Sequence, residues 1–201
     1  MRELILGGAR SGKSAFAEAE ARGAGLPVVY IATAMVTDPA SAGEGLGPEG
    51  IAGEGRALGD MEMAARIRRH RERRPADWGL VEEPRRLAAS LVARATPGHC
   101  LLVDCLTLWL CNLLLAPGAA GEAAFASERA ALLDVLPRLP GQILLVSNEV
   151  GCGVVPTDPL SRRFVDESGL LHQEVARLCE RVVWVAAGLP LYLKGGDQGR
   201  P

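Results

Sequence analysis

Three stretches of this chain carry residue types whose spacing can do chemistry. The first is Gly7-Gly8-Ala9-Arg10-Ser11-Gly12-Lys13-Ser14, a G-x-x-x-x-G-K-S motif. It follows an apolar run and opens a helix-like one, which is the context a phosphate-binding loop needs. Gly7, Gly8 and Gly12 let the backbone turn its N–H groups inward around phosphate oxygens. Lys13 places a charge on the β- and γ-phosphates, the Ser14 hydroxyl suits Mg²⁺, and the helix N-terminus favours the anion. The second stretch is CLLVD, whose Asp104 ends an apolar run where P-loop proteins keep a metal-holding acid; capping the next helix is compatible with that role. The third is RIRRHRERRP at residues 66–75, six arginines around His70. On a helix Arg66, His70 and Arg73 or Arg74 share a face, and Pro75 ends that helix near Arg73. Neighbouring cations disfavour the imidazolium form and leave a neutral nitrogen able to attack, while the helix-end dipole pulls the other way. Spacing alone leaves three readings: a solvated basic helix face, a nucleic-acid patch, or a nucleophile held among phosphate-binding cations.

The elements that must position these groups read as alternating strands and helices. Strands are predicted at Glu3–Leu6, Val28–Ala32, Gly79–Glu82, Cys100–Asp104, Gln142–Ser147 and Arg181–Val185, with a small extension at Leu191–Lys194. Helices are predicted at Lys13–Arg22, Asp60–Arg73, Pro84–Ala95, Thr107–Leu115, Ala123–Leu136 and Gly169–Cys179. Val/Ile/Leu-rich strands alternating with helices imply an α/β fold, here a P-loop NTPase of the RecA-like kind: a mostly parallel sheet with helices on both faces. One domain over residues 1–194 accounts for all of it. Within it, residues 37–59 are rich in Gly, Ala and Glu without apolar periodicity and read as a flexible insertion; residues 195–201 read as a disordered tail.

Composition narrows the function classes. The chain has 201 residues and a net charge of −2 from 22 basic and 24 acidic side chains, with 4% aromatics. A dedicated nucleic-acid binder usually carries a basic excess or aromatic platforms for bases, so no nucleic-acid partner is expected. Five cysteines without C-x-x-C spacing argue against a disulfide framework or a zinc site. No signal peptide opens the chain, and Asp104 and Asn112 interrupt its longest apolar run, so a cytoplasmic protein without a membrane span is expected.

A further block, ILLVSNEVGCGVVPTDPLSRRF, runs through Ser147, Asn148, Glu149, Gly151, Gly153 and Pro156. Together with GGARSGKS, YIATA, DMEMAARIRRHRERRPADW, VEEP, VDCLTLWLCNLL and GLPLYLK, it closely resembles the bifunctional adenosylcobinamide kinase/adenosylcobinamide-phosphate guanylyltransferase family. The matches are collinear from Met1 to Lys194, apart from 37–59 and a variable 116–140 region. The resemblance implies phosphorylation of adenosylcobinamide with ATP or GTP. It then implies transfer of GMP from GTP to adenosylcobinamide phosphate through a guanylyl-histidine at His70. It also implies a nucleotide site formed by Gly7 through Ser14, by Ala32, Thr33 and Ala34, and by Arg71, Glu72, Arg73 and Arg74. Glu82 would read guanine, Asp104 and Ser14 would hold Mg²⁺, and the chain would form a homo-oligomer, a trimer by this expectation. Two rivals are a P-loop small-molecule kinase without guanylyl transfer and a nucleic-acid-dependent ATPase. His172, where the family usually has asparagine, is expected on a helix surface, and His99 in a structural place. Asn148 and Glu149, on the side where such sheets bind ligands, are expected to support the kinase step.

Overall fold

The computed structural model describes residues 1–35, 75–116 and 118–196. The expected helix at 60–73, the 37–59 stretch, His70 and Arg71 through Arg74 lie outside them, as does most of the tail. Seven strands form one sheet: β1 (Arg2–Gly7), β2 (Val28–Ala32), β3 (Gly79–Glu82), β4 (Cys100–Asp104), β5 (Gln142–Asn148), β6 (Arg181–Ala186) and β7 (Leu189–Lys194). Their spatial order is β3-β2-β4-β5-β1-β6-β7. The pairings from β3 through to β6 are parallel, and β7 closes the far edge antiparallel to β6. The helices are α1 (Lys13–Gly23), α2 (Leu87–Arg94), α3 (Leu106–Leu114), α4 (Gly118–Val135) and α5 (Pro159–Leu178).

The strands read as unbroken apolar runs because both sheet faces are covered. Alternate side chains of one strand go to different cores. Leu4, Leu101, Val103, Ile143 and Leu145 meet α2, α3, α4 and α5 through Leu91, Trp109, Phe125 and Leu171. Ile5, Leu102, Leu144 and Val146 meet Ala17 and Ala21 of α1, with Trp78 at the margin. The small residues of α1 let that helix lie close over the strands, as a loop tied to both elements requires.

Several boundaries move from their sequence-based expectation, among them the helix expected from Ala123, which starts at Gly118, and two of the shifts have a clear local cause. Helix α5 begins ten residues before Gly169, at Pro159: Asp158 caps it by accepting from Ser161 N–H at 2.7 Å, and Pro159 supplies the fixed φ of a first helical turn. Gly169 lies within that helix. At the other edge the extension starts at Leu189, because Ala187 (φ 52°) and Gly188 (φ 81°) form a two-residue turn with both φ positive, the hairpin geometry that matches strand twist.

Candidate active site at the carboxyl ends of the strands

The phosphate loop is the link between β1 and α1. Gly12 adopts φ 96°, and a Cβ there would come 3.0 Å from the Gly188 Cα. Gly188 N–H in turn donates to Ser11 O at 2.8 Å, so the β6–β7 turn buttresses the loop from outside. At Gly7 a Cβ would meet Val185 O at 2.4 Å and Ser11 Oγ at 2.5 Å. Gly7 is therefore required by close packing, and Gly12 by its left-handed backbone as well. Lys13 is buried, and its Nζ donates to Gly8 O at 3.2 Å, folding the ammonium over the loop. Ala9 and Arg10 are exposed at the tip, Arg10 in left-handed geometry at φ 57°. Ser14 stands half-buried in the first turn of α1.

Asp104 ends β4, two strands from β1 with β5 between them. Its Oδ2 accepts from the buried Tyr30 hydroxyl at 3.0 Å, and burial followed by the Asp104 charge pushes the Tyr30 pKa far up. That phenol stays a neutral donor. The N-cap of α3 is Cys105, which makes no side-chain capping bond, so Asp104 is not the cap.

Ala32, Thr33 and Ala34 follow β2 directly, and within this trio Thr33 behaves differently from its neighbours. It is fully buried; its hydroxyl donates to Cys105 O at 2.7 Å and accepts from Cys105 N–H at 2.9 Å. Its carbonyl accepts from Asn112 Nδ2 at 2.8 Å, and Asn112 also donates to Pro84 O at 2.9 Å. Thr33 thus fixes the ends of β2 and β4 against each other, and Asn112 adds the segment after β3. Glu82 ends β3 and is exposed, in register with Ala32, which is in turn in register with Asp104. With β2, β4 and β5 between, β3 lies about 19 Å from β1 at ordinary strand spacing. Glu82 therefore cannot touch a phosphate held by the loop, and any ligand they share must span the sheet edge.

The sequence reading of His172 is corrected. This residue is 6% exposed on the inner face of α5, with Nε2 2.7 Å from Ser147 Oγ. Its partner Ser147 is 25 residues away in sequence, so helix periodicity alone does not reveal that this face is covered. Gly188 and Asn112 are the other contributors that sequence reasoning underrated; the Ala-Gly pair between two apolar runs was the available signal for the turn. His99 is structural, as expected: its Nδ1 lies 2.5 Å from Thr96 Oγ1. The five cysteines are free. Among the described residues no group of three or more His, Cys, Asp or Glu is placed to hold a metal, and no helix is long and apolar enough to cross a membrane.

A glycine loop feeding a helix from β1, an aspartate ending the strand beyond the neighbouring one, and ligand-side ends stitched together define a nucleotide-binding P-loop NTPase with RecA-like strand order. Comparison with known proteins makes the assignment narrower. The chain belongs to the cobinamide kinase / cobinamide phosphate guanyltransferase family, which it matches over residues 3–42 and 51–193. It is 53% identical to the bifunctional adenosylcobalamin biosynthesis protein CobP of Pseudomonas aeruginosa, over 97% of this chain and 98% of that protein. It is 35% identical to the bifunctional adenosylcobalamin biosynthesis protein CobU of Salmonella typhimurium, over 95% of this chain and 98% of the relative. A solved ATPase from the type III secretion system of pathogenic bacteria superposes with TM-score 0.43 and 14% identity, over 95% of this chain and 56% of that one, too loosely to carry an argument.

Proposed function

We propose that this protein phosphorylates adenosylcobinamide with ATP or GTP and then transfers GMP from GTP to the phosphate it has made, through a guanylyl group carried on His70. The observation supporting this most directly is that the family match runs through the phosphate loop and the arginine–histidine run alike. A small-molecule kinase needs only the first.

In the kinase step Gly7 through Ser14 cradle the triphosphate, and Lys13 neutralises charge as the γ-phosphoryl moves. Ser14 and Asp104 offer a hydroxyl and a carboxylate oxygen, the hard donors Mg²⁺ takes. When bound, the ion screens the phosphates and orients them. In the guanylyl step Arg71, Arg73 and Arg74 hold GTP, with Glu72 in the same run. Ala32 and Ala34 line the nucleotide through backbone that Thr33 keeps in place. Glu82, displaced along the sheet edge from the loop, suits the guanine end, since a carboxylate accepts from both N1–H and the N2 amino group. His70 attacks the α-phosphorus, pyrophosphate leaves, and the substrate phosphate then takes the GMP. The protein acts in the cytoplasm as a homo-oligomer, a trimer in this reading.

The test is incubation with α-labelled GTP. Wild type is expected to retain acid-labile label and His70→Ala none, while His70→Ala still phosphorylates adenosylcobinamide. Equal labelling of the two proteins, or loss of both activities in a folded variant, would rule out the division of labour.

A further inference from the structure

Behind the phosphate loop lies a buried polar line whose members come from three elements. Asn148 N–H donates to Thr107 Oγ1 at 2.6 Å; Thr107 Oγ1 lies 3.1 Å from Ser147 Oγ, and Ser147 Oγ lies 2.7 Å from His172 Nε2. Thr107, Ser147 and His172 are 7%, 1% and 6% exposed. The remaining ring nitrogen, Nδ1, is buried without a hydrogen-bond partner and faces Glu149 Oε2 at 3.7 Å. Glu149 is anchored on two other sides: its N–H donates to Gly7 O at 3.1 Å, and its Oε1 accepts from Gly151 N–H at 2.6 Å. A carboxylate therefore stands beside the phosphate loop, just past the strand lying between Gly7 and Asp104.

Asn148 N–H fixes one end of the line as a donor to Thr107. A carboxylate 3.7 Å from Nδ1 favours the imidazole tautomer with hydrogen on that nitrogen. In that tautomer Nε2 accepts from Ser147, and Ser147 in turn accepts from Thr107. Burial keeps the ring neutral by lowering its pKa, against the opposing pull of Glu149, the charged group acting on it. Hydroxyls and an imidazole sunk in a leucine-rich core are costly to desolvate, and matched apolar groups would secure the turn at no greater cost. What apolar packing cannot do is offer an N–H to a carboxylate.

We propose that Glu149 accepts the proton of the substrate hydroxyl in the kinase reaction and that His172 is its positioning residue, aiming the carboxylate through Nδ1 while Ser147 anchors Nε2. This rests on the kinase function proposed above. The hydroxyl O–H bond breaks and its proton passes to the Glu149 carboxylate. The hydroxyl oxygen bonds the γ-phosphorus, and the bond from that phosphorus to the β–γ bridging oxygen breaks, its electron pair leaving with the nucleoside diphosphate.

The experiment measures kcat and nucleotide KM for adenosylcobinamide phosphorylation by full-length wild type, Glu149→Gln, His172→Ala, His172→Asn and His172→Gln, with a melting temperature for each. Loss of a positioned base costs about 10²-fold or more in rate, so Glu149→Gln is expected to lose about that much kcat, with KM within a few-fold of wild type. His172→Ala is expected to lose about tenfold or more in kcat. Asparagine reproduces a donor at the Nδ1 position and should restore most of that loss; glutamine reaches only toward Ser147 and should restore stability without rate. Full kcat in folded Glu149→Gln overturns the proposal. So does a His172 series in which rate follows melting temperature and asparagine is no better than glutamine, the signature of a merely structural histidine. A wild type that cannot phosphorylate adenosylcobinamide would remove the function proposed above and this inference together, whereas an active wild type with full-rate Glu149→Gln removes this inference alone.

Discussion

Thr33 shows how much of this site is decided by one hydroxyl group. It takes a hydrogen from Cys105 N–H and gives one to Cys105 O, so a single oxygen satisfies both backbone groups of the residue after Asp104. Burial also pushes the Cys105 thiol up to about 12, so the thiol stays protonated and the local field comes from Asp104. Replacing Thr33 with valine keeps the shape but leaves the buried Cys105 N–H unsatisfied, while Cys105 O keeps its other donor, Trp109 N–H at 3.2 Å. An unsatisfied buried group costs about 1–3 kcal/mol. Thr33→Val is accordingly expected to lose about 1–3 kcal/mol of unfolding free energy, read as a lower urea midpoint at unchanged slope. It should also weaken nucleotide binding, since Asp104 loses its fixed neighbour. An unchanged midpoint would show that the hydroxyl merely fills space.

At the scale of elements, the same stitching passes through α3, whose Asn112 joins the carbonyls of Thr33 and Pro84. Asn112→Ala frees two carbonyls at the ends of β2 and β3, and the expected loss is about 1–2 kcal/mol. Faster amide exchange confined to the segments after these strands would locate it there; exchange spread evenly over the molecule would contradict a local tie. The strands were legible in the sequence because doubly covered parallel strands write themselves as Val/Ile/Leu runs, and five of the seven start where expected, at Val28, Gly79, Cys100, Gln142 and Arg181, even though the last two end one residue later. The phosphate loop was legible because its glycines, lysine and serine sit at fixed offsets. Asn112, His172 and Gly188 were not, for a common reason: each matters through a partner far away in sequence. His172 meets Ser147, Asn112 meets Thr33, and Gly188 meets Ser11. Helix periodicity at 169–179 cannot say which strand end a ring will touch, and an Asp-Pro pair that caps a helix also looks like a turn.

Across the whole molecule, two buried titrating groups tilt stability in opposite directions with pH. Glu3 is fully buried on β1 beside Arg181, whose Nη2 lies 3.3 Å from Glu3 Oε1 and 3.2 Å from Glu20 Oε2. Desolvation outweighs the arginine and raises the Glu3 carboxyl from 4.5 to about 7. The folded chain therefore keeps a proton that the unfolded chain releases, so this group lowers stability as pH rises from the unfolded value through the folded one. His172, lowered from 6.5 by burial, does the reverse: the unfolded chain gains its proton first, and stability falls as pH drops below 6.5. Between 4.5 and 6.5 the two effects oppose each other. Above 6.5 the His172 contribution fades as the unfolded imidazole also loses its proton. The buried thiols Cys100, Cys105 and Cys179, pushed up to about 12, act only once pH reaches the ordinary thiol range. His172 and the thiols are common to wild type and Glu3→Gln, so the difference between the two proteins from pH 6.5 to 8 isolates Glu3. Wild type is expected to fall by about 0.8 kcal/mol relative to Glu3→Gln across that interval. Urea titrations at the two pH values measure both slopes. Parallel slopes in the two proteins would mean that Arg181 holds Glu3 ionised throughout, and that the ion pair outweighs desolvation at the foot of the strand leading to the phosphate loop.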